Sequence, residues 1–113
     1  MLARRLRLVK EKDFRNIFKN GKSSYTKIFR IKVLANGQEF NRYGIVISNK
    51  VSKKACERNK LKRQFRAALK ALDKKFITGF DLVIVVSLSA LNQEYKIIQS
   101  ELERIFLAVK LFK

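Results

Sequence analysis

The chain of 113 residues contains no histidine and only one cysteine, Cys56. Without histidine it lacks the commonest general acid or base, the commonest metal ligand and every catalytic triad that depends on imidazole. A single cysteine excludes both an internal disulfide and a structural zinc site, and it fits a reducing cytoplasm. These absences argue against the usual forms of protein-based catalysis.

Acidic residues and glycines are also few, and neither type is clustered. Nine aspartates and glutamates are scattered along the chain, with no pair arranged to hold a catalytic magnesium ion. The four glycines are isolated, so there is no glycine-rich loop to cradle a phosphate. We therefore predict no catalytic residue and no metal site in the protein itself. A self-sufficient enzyme is the weakest hypothesis.

Long apolar segments are missing as well. The apolar run Leu82–Val86 is far too short to span a bilayer. The arginines near the start of the sequence are not followed by the continuous apolar stretch of a secretory signal. We therefore expect a cytoplasmic protein without a membrane partner.

Positive charge is the dominant property of the sequence. The chain has 27 lysines and arginines against 9 acidic residues, which gives a net charge of +18. Self-repulsion of this size destabilises a compact monomer, and a bound phosphate backbone would relieve it, so the predicted partner is a nucleic acid. Hydrophobic residues make up 47% of the chain and include nine phenylalanines. They are enough for one modest core, and residues 1–113 are predicted to form one domain.

The charge is densest between Lys50 and Arg66, where eight cationic side chains accompany one acid, Glu57. A helix is predicted from Lys54 to Lys75, because apolar residues recur at helical spacing. One arc of this helix is apolar, formed by Leu61, Phe65, Ala68, Leu69, Leu72 and Phe76. The opposite arc is polar and cationic, formed by Asn59, Lys62, Arg63, Arg66, Lys70 and Lys74. The pattern predicts a helix that packs on a sheet with one face and offers the other to phosphate.

The remaining periodicity predicts an α+β fold with helices packed on one small sheet. Apart from the basic helix, the predicted elements are a helix at Glu11–Asn20, strands at Tyr25–Ala35, Tyr43–Ser48 and Leu82–Ser87, and a helix at Glu94–Leu111. Asn36-Gly37 is the strongest hairpin signal, and it predicts that the first two strands pair. A minor strand is possible near Glu39 and Phe40. The strand, helix, strand run from Tyr43 to Ser87 predicts a crossover that places the basic helix on the sheet.

The segment Arg58-Asn59-Lys60-Leu61-Lys62-Arg63, followed by Arg66, resembles the signature of the bacterial ribonuclease P protein subunit family. That signature is Arg-Asn-Arg, an apolar residue, Lys-Arg, two variable positions and Arg, so Lys60 replaces the usual arginine. Ser48-Asn49-Lys50 resembles the family's Ser-Lys-Lys, with Asn49 in place of a lysine. The resemblance extends to the opening block from Arg7 to Lys22 and to Asp81-Leu82-Val83, and so covers essentially the whole chain.

The resemblance implies a sheet of about four strands in the order α-β-β-β-α-β-α, with a left-handed βαβ crossover. Physical reasoning alone favours the right-handed form. The resemblance to the family also implies that the chain is the RNA-binding protein subunit of a ribonucleoprotein endonuclease. In such an enzyme a catalytic RNA, holding most of the magnesium, removes the 5′ leader of precursor tRNA. The expected partners are that RNA and precursor tRNA, with no protein partner required and a monomer in the free state.

Site residues follow from the same resemblance. Catalytic-RNA contacts are predicted at Lys50, Lys53, Lys54, Arg58, Asn59, Lys60, Lys62, Arg63 and Arg66. Contacts to the leader are predicted at Phe14, Phe18, Arg30 and Lys32. The plainer interpretation of the two phenylalanines is core packing, which their i, i+4 spacing favours. Lys32 stands where family members can carry an aromatic residue.

Two other classes of protein share some of these features. A ribosomal or RNA-chaperone protein without a role in cleavage would have similar charge and a similar α+β fold. A DNA-binding protein could place the basic helix in a major groove, but neither helix-turn-helix spacing nor a dimerisation heptad accompanies it.

Overall fold

The computed structural model describes residues 11–48, 50–72, 79–91 and 93–108. Its elements are α1 (Glu11–Asn20), β1 (Lys22–Tyr25), β2 (Phe29–Ala35), β3 (Arg42–Val46), α2 (Ala55–Leu72), β4 (Phe80–Val86) and α3 (Tyr95–Ala108), with a short 3₁₀ helix at Leu88–Ala90. The order confirms the predicted α+β class. The predicted ends of the second and third helices, the opening block before Glu11, and Asn49 lie outside the described residues. None of the described helices is long and apolar enough to cross a membrane.

The four strands form one mixed sheet in the order β1-β2-β4-β3. β1 and β2 are antiparallel, with Tyr25 opposite Arg30, and β2 and β4 are also antiparallel. β3 runs parallel to β4, as expected for two strands that are joined through a helix. This parallel pairing confirms the crossover that carries α2. The left-handed sense of the crossover stays a prediction.

The hairpin predicted at Asn36-Gly37 is wrong. A turn does form there, because Gly37 has a φ of 70° and the Asn36 side-chain oxygen accepts a hydrogen bond from the Gln38 amide at 2.8 Å. However, β3 does not pair with β2; it continues to the far side of β4. β4 is the most apolar strand and is buried on both faces. Placing it between β2 and β3 buries more apolar surface than a local hairpin would.

The segment Tyr25–Ala35, predicted as one strand, divides at Thr26. The Thr26 hydroxyl accepts hydrogen bonds from the amides of Ile28 and Phe29, both at 3.2 Å, which reverses the chain between β1 and β2. The minor strand predicted near Glu39 and Phe40 is also wrong, since these residues lie in the loop before β3. The fourth strand of the sheet is instead β1, which is short and polar and carries little alternation to reveal it.

The helices lie on both faces of the sheet. α2 and α3 cover one face, where the main core forms around Phe29, Ile84, Phe65 and Ile98. The rings of Phe29 and Phe65 meet edge to face, with centroids 5.8 Å apart. α1 lies on the opposite face and packs through a smaller cluster centred on Ile17 and Val83. Of the residues described on this face, Arg30 of β2 is exposed.

Candidate nucleic-acid interface

α2 presents its two faces as its periodicity predicts. Its buried side chains are Leu61, Phe65, Ala68, Leu69 and Leu72, all on the side that meets the sheet and α3. Its cationic residues lie on the other sides of the helix, and the acid within Ala55–Leu72 is Glu57, in the first turn. Because the apolar face fixes the helix on the core, the orientation of the cationic face is fixed as well.

Four of the predicted catalytic-RNA residues share one shallow groove on α2. Asn59, Lys62, Arg63 and Arg66 line it together with Cys56. We call these four residues the α2 basic face. Their spacing of three, four and seven residues places them in one column along the helix. Arginine holds phosphate with two parallel hydrogen bonds and lysine with a point charge, so the column suits a phosphate backbone.

Arg58 stands apart from this column. It is partly buried, and its Nη1 donates a hydrogen bond to the carbonyl of Ser52 at 2.8 Å. The Ser52 hydroxyl in turn donates to Glu57 at 2.5 Å and accepts from the Lys54 amide at 3.1 Å. Arg58 therefore ties the first turn of α2 to the preceding loop.

The other predicted cations take different positions around the helix start. Lys60 is exposed on a neighbouring side of α2, in a groove shared with Glu57, Gln64 and Glu94. Lys50, Lys53 and Lys54 are exposed in the segment that leads into the helix. The structure thus gathers part of the predicted set on one face and distributes the rest.

A second surface forms where α1 crosses the sheet. Lys32 on β2 donates a hydrogen bond from Nζ to the carbonyl of Phe18 at 2.8 Å, and the same nitrogen lies 5.9 Å from the centre of the Phe18 ring. The Phe18 side chain is 39% exposed, whereas Phe14 is half-buried and packs with Ile17. Core packing therefore describes the Phe14 side chain better than the Phe18 side chain, which is partly exposed.

Sequence reasoning overlooked one residue on this surface. Arg30 is exposed on β2, and Tyr25 lies directly opposite it on β1 with 76% of its side chain exposed. Residues opposite each other in an antiparallel pair project to the same side of the sheet. We call Phe14, Phe18, Tyr25, Arg30 and Lys32 the α1 surface. Only the break between β1 and β2, marked by Thr26, could have revealed the position of Tyr25 in advance.

An ion-pair network holds the other end of α1. Arg42 forms two hydrogen bonds with Asp81, at 2.7 and 2.8 Å, and reaches Asp13 on α1 at 3.5 Å. The hydrogen bond with Asp81 raises the pKa of Arg42, and this effect outweighs the opposing effect of burial; the charges of Asp81 and Asp13 add to it. Asp81 also accepts a hydrogen bond from the Asn36 amide group at 2.8 Å.

The acidic side chains do not form a metal centre in the part of the chain that the structure describes. Within it, no three histidine, cysteine, aspartate or glutamate residues come close enough together to hold a metal ion. The α2 basic face and the α1 surface together carry five cationic side chains, which suits an anionic ligand.

Comparison with known proteins identifies the family. A model of the Ribonuclease P family matches residues 2–110. The chain belongs to this family. The ribonuclease P protein component of Synechocystis sp. is 38% identical over 106 residues, covering 93% of this chain and 86% of that protein. The ribonuclease P protein component of Carboxydothermus hydrogenoformans is 38% identical over 108 residues, covering 94% and 90%.

A solved ribonuclease P protein structure agrees with the fold. The Staphylococcus aureus protein superposes with a TM-score of 0.86 at 30% identity, covering 96% of this chain and 98% of that one. Membership of the ribonuclease P family gives the chain a role in tRNA 5′ processing, as the protein component of a ribonucleoprotein endonuclease that partners ribonuclease P RNA. None of the comparisons favours the ribosomal or RNA-chaperone alternative.

Proposed function

We propose that residues 1–113 act as a single RNA-binding domain that binds the catalytic RNA of ribonuclease P through α2 and the 5′ leader of precursor tRNA through the α1 surface. The observation that carries this proposal is the arrangement of α2. Its apolar side is buried in the core, and its opposite side gathers Asn59, Lys62, Arg63 and Arg66 in one groove. A solvated helix face ordinarily mixes charges of both signs, and this one does not.

The contact with catalytic RNA is centred on the α2 basic face. Arg63 and Arg66 each bind a phosphate through two hydrogen bonds, while Lys62 contributes a point charge and Asn59 a side-chain amide. Lys50, Lys53, Lys54 and Lys60 extend the positive field around the start of the helix. Arg58 shapes the loop by its hydrogen bond to Ser52 and offers its remaining donors to RNA.

The leader contact uses the α1 surface. Single-stranded RNA is held by aromatic rings that stack on bases and by cations that follow the backbone. Phe18 supplies an exposed ring and Arg30 an exposed cation on the same side of the sheet. Phe14 packs against the cluster of Ile17 and Val83 that fixes α1 on the sheet, and Lys32 holds the end of α1 through the Phe18 carbonyl.

The hydrolytic chemistry belongs to the RNA in this proposal. Magnesium, which activates water and stabilises the leaving oxygen in phosphodiester hydrolysis, is held mainly by the RNA subunit. The described residues offer no ligand set for it. The protein's contribution is to neutralise phosphates that would otherwise repel one another, so that the folded RNA and its precursor substrate come together at lower magnesium concentrations.

We also propose that the free protein is a cytoplasmic monomer that needs no protein partner. A charge of +18 on each copy opposes self-association. The single cysteine fits a reducing compartment.

Reconstitution tests this function. The purified protein and its cognate catalytic RNA are mixed at a magnesium concentration too low for the RNA alone, and cleavage of precursor tRNA is measured. We expect cleavage at the mature 5′ end and tighter binding of precursor than of mature tRNA. A protein without a role in cleavage restores neither. Hydrolysis by the protein in the absence of RNA would contradict the assignment of the chemistry.

A further inference from the structure

Two exposed aromatic rings lie on one side of the sheet. In the part of the chain that the structure describes, the exposed large hydrophobic residues are Phe18, Tyr25, Leu88, Ile97 and Leu107. Only the first two are aromatic. Tyr25 is the more exposed, at 76%. A side chain so exposed buries little area, so it contributes little to the free energy of folding.

The register of β1 places Tyr25 on the same side as α1. Phe29 and Ile31 on β2 face the core under α2, so Arg30 between them faces the α1 side. Tyr25 is directly opposite Arg30, and Ser23 is opposite Lys32. Opposite residues share a side of the sheet, so Tyr25 also projects toward the α1 side.

Each of the two rings has a cationic residue of β2 beside it. Lys32 lies 5.9 Å from the Phe18 ring centre. Tyr25 is the diagonal neighbour of Lys32 across the strands, at about 7–8 Å between Cα atoms. Lys32 therefore lies at the Phe18 ring, and Arg30, two residues away along β2, lies level with Tyr25 on the neighbouring strand. Lys32 already donates a hydrogen bond to the Phe18 carbonyl, so Arg30 is the more available of the two cations for a phosphate.

A plainer explanation is that tyrosine simply favours strands. That preference reflects packing against neighbours on a half-buried surface, which a ring with 76% exposure largely lacks. Edge strands are usually protected by charged residues or proline and not by an exposed ring. Strand preference alone therefore leaves the exposure of Tyr25 unexplained.

We propose that Tyr25 is a second stacking platform for the leader. It receives the base of a nucleotide farther from α1 than the one at Phe18, and Arg30 holds a phosphate between them. Stacking accepts any base, so the contact adds affinity without strict sequence preference. The inference rests on the proposed leader binding and adds a subsite on β1.

The test uses the reconstituted holoenzyme and precursor tRNAs in which single leader nucleotides are replaced by abasic ones. Tyr25→Thr removes the ring and keeps a strand-favouring residue, whereas Tyr25→Phe keeps the ring. Ser23→Ala is the matched control on the same strand and side, and Phe18→Ala reports the first subsite. The dissociation constant of each precursor is obtained from the concentration dependence of single-turnover cleavage, and that of mature tRNA from its inhibition of this cleavage. Thermal melts compare the stability of the variants.

We expect Tyr25→Thr to weaken binding of the intact precursor by about 5- to 150-fold, the range for loss of one stacked base. Tyr25→Phe and Ser23→Ala should remain within about 2-fold. One abasic leader position should weaken binding to the wild type but not to Tyr25→Thr. A different abasic position should have no effect on binding to Phe18→Ala.

Three results would overturn the proposal. The first is that Tyr25→Thr binds the precursor as tightly as the wild type does. The second is that it loses as much affinity for mature tRNA as for the precursor, and the third is that it becomes insensitive to the same abasic leader position as Phe18→Ala. If Phe18→Ala retains its leader effect while Tyr25→Thr shows none, only this subsite fails. If neither variant changes the preference for precursor over mature tRNA, the leader function of the whole α1 surface fails.

Discussion

At the scale of single residues, the hydrogen-bond partners of a cationic side chain within the protein decide whether it is available to RNA. Arg58 and Arg63 belong to the same motif, five positions apart, and both are predicted to bind catalytic RNA. In the folded chain Arg63 is exposed on the α2 basic face, whereas Arg58 donates to the Ser52 carbonyl. One side chain is available to a ligand, and the other supports the loop that precedes the helix.

These positions predict different effects of substitution. Arg63→Ala should leave the thermal melt unchanged and reduce the slope of log affinity for catalytic RNA against log salt by about 1, since one fewer counterion is released. Arg58→Ala should also lower the free energy of unfolding by about 1–2 kcal/mol, because a partly buried carbonyl loses its donor. Filter binding over a salt series and urea unfolding measure the two quantities.

Arg104→Ala, which removes an exposed charge on α3, is the control for loss of charge alone. If Arg63→Ala keeps the wild-type salt slope, Arg63 does not contact the RNA backbone.

At the scale of elements, α1 is held to the sheet by a small apolar cluster and two polar anchors. Ile17 and Val83 form the centre of the cluster. Arg42 anchors the beginning of the helix through Asp13, and Lys32 anchors its end through the Phe18 carbonyl. Because α1 carries Phe18, these anchors position a ring of the proposed leader site.

The Arg42 network predicts unequal costs for its two carboxylates. Asp81 is buried and accepts three hydrogen bonds, from Arg42 and Asn36, so Asp81→Ala should lower the free energy of unfolding by about 2–4 kcal/mol. Asp13 is partly exposed and meets Arg42 at 3.5 Å, so Asp13→Ala should cost less than about 1 kcal/mol. Urea unfolding measures both values, and equal costs would contradict this account of the network.

The pKa of Arg42 determines the pH range of its contribution. Its pKa is raised on folding, so the stability that it provides is complete below the ordinary arginine value and is lost only as the pH rises through the still higher folded value. That range lies far above neutral pH. Between pH 6 and pH 9, the free energy of unfolding should therefore depend on pH in the same way in the wild type and in Arg42→Met.

At the scale of the whole molecule, the charge of +18 opposes compaction. The chain has 27 lysines and arginines but only 9 aspartates and glutamates, so most of its cations cannot be matched one to one with a carboxylate. A bound RNA backbone relieves this repulsion, which couples stability to the partner.

Salt should consequently stabilise the free protein. Raising sodium chloride from about 0.01 M to 0.15 M shortens the screening length from about 30 Å to about 8 Å. We expect the melting temperature to rise by about 4 °C or more, corresponding to roughly 1 kcal/mol for a domain of this size. Differential scanning calorimetry measures the change. A fall in melting temperature would mean that attractive ion pairs, and not net repulsion, dominate the electrostatics.

Local periodicity was sufficient to predict several elements and the orientation of α2 on the core. The spacing of Phe14 and Ile17 predicted α1, and the stripe from Leu61 to Leu72 predicted which side of α2 is buried. The motif beginning at Arg58 indicated the family, which the comparisons confirm. These features depend on residues within a few turns of one another, so the sequence alone could determine them.

Pairing between distant strands was decided only by the tertiary structure. Asn36-Gly37 favoured a local hairpin, yet β4 lies between β2 and β3 because its apolar side chains require cover on both faces. That arrangement, together with the short strand β1, brings Tyr25 and Phe18 to one side of the sheet. Burial of apolar area is a property of the whole chain, and it outweighed the preference of a single turn.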